Sequence, residues 1–182
     1  MNDRITSLQA IENRCWQELE MATQQRGHAW RLATLATVDG ERAAARTVVL
    51  REVRADSREL LIYTDTRSAK VTQLIANPLG TLLFWSAALS WQLRLEVTLT
   101  VADSGLDVSS RWAQIKLTRA AQDYLAALPP GTPVQDHQPE RASRENFAVL
   151  TAQVTAADWL ELHAEQHRRA LFDASGKQWL TP

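Results

Sequence analysis

The residues with the most chemical promise lie in TRSAKVTQLIANP, 66–78. Val71, Leu74 and Ile75 give this segment a helical apolar face, and Asn77-Pro78 ends it, which predicts a short helix over 66–76. Its first turn would carry Arg67, Ser68 and Lys70. A helix N-terminus has unpaired N–H groups and a partial positive charge, and so favours acidic side chains. Two cations there oppose the helix dipole unless an anion joins them. Helix N–H groups, a serine hydroxyl and cations are together the parts of a phosphate site. Taken alone, the same residues suit a solvated surface at least as well. RTVVLR, 46–51, sets Arg46 and Arg51 five residues apart on a strand. Odd spacing sends them to opposite faces of a flat strand. A twist or bulge, or a strand end at Arg51, would let both serve one extended ligand. Otherwise they are solvent-facing arginines around the buried run Val48-Val49-Leu50. Gln92 and Arg94 share the polar face of a later strand. Gln92 offers a donor and an acceptor, as the imide edge of a flavin or pyrimidine requires.

Other chemistries fit less well. HAEQH, 163–167, spaces two histidines like a zinc helix, but a metalloprotease needs Glu where Ala164 stands. No metal site is predicted. Nucleophile-elbow, P-loop and dinucleotide-binding patterns have no match. Cys15 is the single cysteine, so no intrachain disulfide can form. A net charge of -1 gives no basic field for nucleic acid. No apolar run is long enough for a membrane span, which leaves a cytoplasmic protein as the default.

The 182 residues, 45% hydrophobic, suit one compact domain. Ile5, Leu8, Ile11, Cys15, Leu19 and Ala22 predict a helix over 5–25, with Thr6 and Gln9 as a capping box. Strands are predicted over 30–40, 42–54, 58–65, 79–87 and 90–103. In the last, Trp91, Leu93, Leu95, Val97 and Leu99 alternate strictly with polar residues. A helix over 107–128 would bury Leu117, Ala121, Tyr124, Leu125 and Leu128. A proline-rich loop over 129–141 follows, then C-terminal strands over 145–181 ending in a hairpin that turns at 173–176. Closely spaced strands with few helices favour a mainly β fold, an antiparallel barrel with flanking helices. The 7 tryptophans are assigned to core packing or a subunit interface.

The order ARTVVLR, LIYTDTRSAK, NPLGTLLFW, WQLRLEV resembles the N-terminal core of pyridoxamine 5'-phosphate oxidase-like proteins, in particular their FMN-binding relatives of unassigned substrate. The resemblance implies a split β-barrel with a core over 30–103, a homodimer, and flavin mononucleotide (FMN) in clefts between the subunits. It maps the FMN-binding strand onto Arg46, Thr47, Val48, Val49, Leu50 and Arg51, with Arg46 near the phosphate, the backbone of Val48 to Leu50 along the isoalloxazine, and Arg51 near the ring edge. It adds Tyr63 and Thr64 after the third strand, Ser68 and Lys70 at the helix start, and Gln92 on the ring. There are departures. The family's Arg-Lys pair is here Ala69-Lys70, with Arg67 as a compensating cation. A strand-end lysine is replaced by Arg51, a glycine by Val97, and an FMN-contacting tryptophan by Leu162. The residues that grip the substrate phosphate in true oxidases have no match in 109–124. The expected function is therefore an FMN-dependent oxidoreductase of a small, unassigned substrate. A non-catalytic FMN carrier or sensor, an authentic pyridoxamine 5'-phosphate oxidase and a cofactor-free barrel are the alternatives.

Overall fold

Eight antiparallel strands follow the N-terminal helix, and the sixth of them has two partners on one edge. The computed structural model describes residues 4–118, 121, 124–134 and 146–182. The elements are α1 (Leu8–Gln24), β1 (Leu32–Asp39), β2 (Arg42–Arg54), β3 (Glu59–Asp65), α2 (Ala69–Ala76), β4 (Leu79–Ser86), β5 (Trp91–Ala102), α3 (Leu106–Ile115), β6 (Phe147–Glu161), β7 (Arg168–Asp173) and β8 (Gly176–Leu180). The strand order is β3-β2-β1-β4-β5-β6-β7-β8, with a further β3–β6 pairing. β5 runs along one edge of β6 for its whole length. On the other edge, residues 147–153 pair with β3 and residues 157–161 pair with β7. The first half of β6 thus closes a barrel and the second half leads the sheet away from it. Thr155 is the extra residue between the two halves, where Val97 pairs with Val154 and Glu96 with Ala156. This is the split barrel. The core expected over 30–103 is joined by β6, at 147–161, which pairs with both β3 and β5.

Two apolar clusters hold the sheet. Inside the barrel, Leu35, Leu50, Ile62, Phe84, Leu93 and Trp159 pack with Ile11, Cys15 and Leu19 of α1. α1 is shorter than 5–25. Ser7 is extended and its hydroxyl accepts from the Ala10 N–H at 3.4 Å, so Ser7, not Thr6, caps it. Gln9 bonds Asn13 instead of closing a box. Outside the barrel, Leu61, Val108, Trp112, Tyr124 and Phe147 form a second cluster under α3. α3 ends at Ile115, well short of residue 128. The Lys116 N–H still reaches Trp112, but the Thr118 N–H bonds the Ile115 carbonyl in a tight turn. Ala121 and Tyr124 therefore reach the second cluster from turns, while Leu117 and Leu128 are exposed. Residues 135–145, which include much of the proline-rich segment, lie outside the described residues. Trp30, Trp91, Trp112 and Trp159 are buried, whereas Trp85 and Trp179 are exposed.

Gly80 shows how tightly β4 is held. A Cβ there would lie 2.7 Å from Leu99 Cδ1 and 3.0 Å from the Ala36 carbonyl oxygen. The leucine tip can move but the β1 backbone cannot. Gly80→Ala should cost about 1–3 kcal/mol, as overpacked sites do, measurable as a lower urea midpoint with an unchanged m value.

Candidate functional site

β2 and β3 pair only from Leu50↔Ile62 to Arg54↔Glu59. Beyond Leu50 the strands part. Residues 42–49 pair with β1 on one edge, and Tyr63, Thr64 and Asp65 pair with β6 on the far edge. Among the described residues no backbone ladder joins 46–49 to 63–65, so these two strand edges are left unpaired with each other. Arg46, Thr47, Val48 and Val49 lie on one edge, with Leu50 at the last paired position, and Tyr63 and Thr64 lie on the other. Thr47 is exposed, Val49 half-buried, and Val48 and Leu50 have their side chains in the barrel core. Of these two, the Val48 backbone lies on the edge unpaired with β3, while Leu50 is paired with Ile62.

Ser68 is the N-cap of α2, so Arg67 precedes the helix and does not sit in its first turn. The Ser68 hydroxyl makes no capping bond. It lies 3.2 Å from Thr64 Oγ1, and Lys70 Nζ donates to Thr64 Oγ1 at 3.0 Å and to Ser68 Oγ at 3.1 Å. Nearby, Arg46 donates to Thr37 Oγ1 at 2.6 Å, to Gln73 Oε1 at 2.7 Å and to the Leu35 carbonyl at 3.3 Å. Every one of these acceptors is neutral. Burial lowers the pKa of Lys70, and the Arg46 charge lowers it further. Burial likewise lowers that of Arg46. Two neighbouring cations are thus hydrogen-bonded, among the described residues, to hydroxyls, an amide and a carbonyl, while the carboxylates of Asp65 and Asp39 act on Lys70 and Arg46 only through space.

Arg67 does not join them. Its Nε and Nη2 grip Asp65 at 3.0 and 2.7 Å, and its other bonds go to the carbonyls of Ala126 and Ala127. It ties the 126–127 turn to the end of β3. The compensating role expected of Arg67 fails because Asp65, two residues away, already neutralises it.

Arg51 is the extra residue of a β-bulge between Leu50 and Glu52. The bulge aims Arg51 and Glu52 the same way, towards Tyr63, while Arg46 faces the barrel interior. The Arg51 guanidinium lies 5.7 Å from the Tyr63 ring centre, and its Nη2 donates to the Tyr124 hydroxyl at 3.0 Å. Its buried Nε has no partner among the described residues. Gln92 is elsewhere: β5 is separated from β2 by β1 and β4. It shares its face with Arg94, which donates to Asp158 at 2.6 Å, and it stands opposite Trp85 of β4. A groove of about 540 Å³ lies on that side of the sheet, lined by Ala36, Val38, Leu79, Thr81, Glu96 and Thr155 among others. Its lining also includes Thr37, an acceptor of Arg46, and the charged Glu41 and Arg42, but not Arg46, Arg51 or Lys70 themselves.

The profile of the family described as pyridoxamine 5'-phosphate oxidase, FMN-binding domain, matches residues 13–103, half of the chain. The chain belongs to this family. The pyridoxine/pyridoxamine 5'-phosphate oxidase of Caulobacter vibrioides is 26% identical over 162 residues, covering 81% of this chain and 72% of that protein. The Thermosynechococcus vestitus protein of the same name is 48% identical over 65 residues, 35% of this chain. That stretch spans only 29% of the relative's own length, and the match to the Microcystis aeruginosa protein only 30%. Among solved structures, a pyridoxamine 5'-phosphate oxidase-related, FMN-binding protein of Nostoc punctiforme superposes with a TM-score of 0.74 at 24% identity, covering 98% of this chain and all of that one. PhzG of Burkholderia lata, solved with tetrahydrophenazine-1-carboxylic acid, gives 0.73 at 12% identity, covering all of this chain and 95% of that one.

Four residues that bond to the candidate site residues, or to one another beside them, are not singled out by the sequence: Thr37 and Gln73, which accept from Arg46, and Glu52 with Arg111, which donates to it beside Arg51. Gln73 carried a signal, as a polar residue on the buried side of α2. The others carried none, since their partners are distant in sequence. Among the described residues no three His, Cys, Asp or Glu side chains group as a metal site. No described helix is long and apolar enough to cross a membrane.

Proposed function

We propose that this chain binds FMN in the cleft between β2 and β3 and acts, as a homodimer, as an FMN-dependent oxidoreductase on a small substrate. The observation that carries the reading is the Arg46–Lys70 pair, two cations whose hydrogen-bond partners among the described residues are all neutral, beside the N-terminus of α2. A phosphate dianion is the ligand that such a group accommodates. The open strand edges offer backbone groups to a flat ring system, and the unpartnered Nε of Arg51 offers a donor at its rim. Bound FMN would supply the electron transfer; the protein would hold and orient it and set its electrostatic surroundings.

The dimer is supported by Gln92. A single ligand cannot reach both Lys70 and a residue three strands beyond β2 on the other side of the sheet unless a second copy brings its own Gln92 to the cleft. The face that carries Gln92 is apolar enough for such contact: Leu83 and Trp85 are 36% and 46% exposed there, next to Arg94 and Gln92 in register. Large exposed apolar side chains in one patch mark association surfaces.

Titration of the purified chain with FMN tests the reading. Quenching of flavin fluorescence that saturates at one FMN per chain is expected, with light scattering at twice the 20.4 kDa chain mass. A chain that stays colourless and leaves free FMN fluorescence unchanged would sink it.

A further inference from the structure

The cluster on the outer face of β2 and β3 does more than join α3 to the barrel. No carboxylate among the described residues bonds Arg51. Its guanidinium rests on the Tyr63 ring and on the Tyr124 hydroxyl. Glu52, its neighbour in the bulge, is turned to other partners. It accepts from the Tyr63 hydroxyl at 2.6 Å and from Arg111 at 2.7 and 2.9 Å. Arg111 is held in turn by Asp107, one helical turn earlier. Burial works against the charged form of Glu52, but the bonds from Arg111 and Tyr63 outweigh it and lower its pKa. Burial and the Glu52 bond together raise that of Tyr63, which stays a phenol.

The physical consequence runs along the chain of contacts. A phenol that donates to a carboxylate gains electron density, and its ring face becomes more negative. A more negative face holds a guanidinium more firmly, an attraction of about 0.5–2 kcal/mol depending on desolvation. Glu52 therefore strengthens the seat of Arg51 from one ring away, while Arg111 neutralises its charge. The cation is held in place, no carboxylate among the described residues bonds it, and its buried Nε has no partner among them.

We propose that Glu52, Tyr63 and Arg111 are positioning residues that hold Arg51 in one orientation at the flavin rim and thereby raise the reduction potential of bound FMN; this rests on the FMN reading above. Reduced FMN carries more negative charge at its ring than oxidised FMN, so a fixed cation favours it. A structural role would leave a different signature. If Glu52 only anchored α3, its neutralisation would remove a negative charge near the ring and raise the potential.

The sign decides. Glu52→Gln and Tyr63→Phe are each loaded with FMN, and the midpoint potential is measured against a reference dye, with thermal melting to verify folding. Each variant should favour reduced FMN about tenfold less than the parent, a fall of about 30 mV for a two-electron couple. Tyr63→Phe keeps the ring and removes only the hydroxyl, so it serves if Glu52→Gln folds poorly. An unchanged or raised potential in either folded variant overturns the inference. Failure of the parent to bind FMN at all would show as an unsaturated titration rather than a flat potential, and would remove the FMN reading and this inference together.

Discussion

The double variant Arg46→Ala, Lys70→Ala should bind FMN at least a hundredfold more weakly than the parent protein. Hydrogen bonds to charged groups contribute about 1.5–3 kcal/mol each. Losing two such cations from a phosphate corresponds to about two to four orders of magnitude in Kd. The folding of the flavin-free protein should respond differently. Lys70 is half-buried beside a second cation and donates, among the described residues, only to hydroxyls, so it contributes little to the free fold. Lys70→Met alone should melt at the same temperature or higher. Differential scanning calorimetry without FMN and fluorescence titration with it separate the two effects. The sign of the pH dependence follows as well. Burial and Arg46 lower the pKa of Lys70 from the usual 10.5, and a bound dianion would raise it again. FMN binding then takes up a proton, and affinity falls as pH rises through the range just below 10.5. Undiminished affinity in the double variant would remove the assigned phosphate site.

Glu161 carries the second large effect, on stability. This buried carboxylate at the end of β6 gathers Arg168 at 2.8 and 3.0 Å, Arg4 at 2.5 and 3.1 Å, and the Trp91 indole N–H at 3.2 Å. Arg168 also lies against the Trp159 and Trp179 rings. One carboxylate thereby connects the N-terminal segment, β5 and β7. Glu161→Gln leaves two guanidinium groups without their anion, and breaking a buried pair from one side costs about 3–5 kcal/mol. The urea midpoint should drop accordingly. Burial opposes the charge of Glu161, but the bonds from Arg168, Arg4 and Trp91 outweigh it and hold the pKa at about 2, below the ordinary 4.5. With the folded value depressed, this stabilisation is complete above about 4.5 and disappears as pH falls towards 2. The parent should lose stability across that acid window, and the Gln variant should show a shallower decline there. Equal acid profiles would contradict the role given to Glu161.

Local pattern explains which parts could be read in advance. The strict alternation from Trp91 to Leu99 identified β5 and its buried face, because period two is visible in a single strand. The end of α3 was misread for a physical reason: Ala121 and Tyr124 do point into the cluster under α3, but turns carry them there, and spacing alone does not distinguish a helix from turns that present the same face. The bulge at Arg51 had no local mark, since it arises from the pairing of β2 with β3. The partners of Arg46 were equally hidden. Thr37 and Gln73 lie 9 and 27 residues from it. Arg67 looked like part of a phosphate site by type and position. Only the geometry of the Asp65 carboxylate shows that the cation is already engaged.

The double pairing of β6 also bears on how the chain must be made. During synthesis, everything through β5 leaves the ribosome before residue 147 exists. Until then the nascent protein has β3 and β5 as two bare borders of a curved sheet, and such borders invite association with other chains. Closure waits for a segment about 80–90 residues downstream of β3, so the fold is a slow, non-local one. A fragment cut at residue 103 would keep β2, β3 and α2 and remain permanently in that unfinished state.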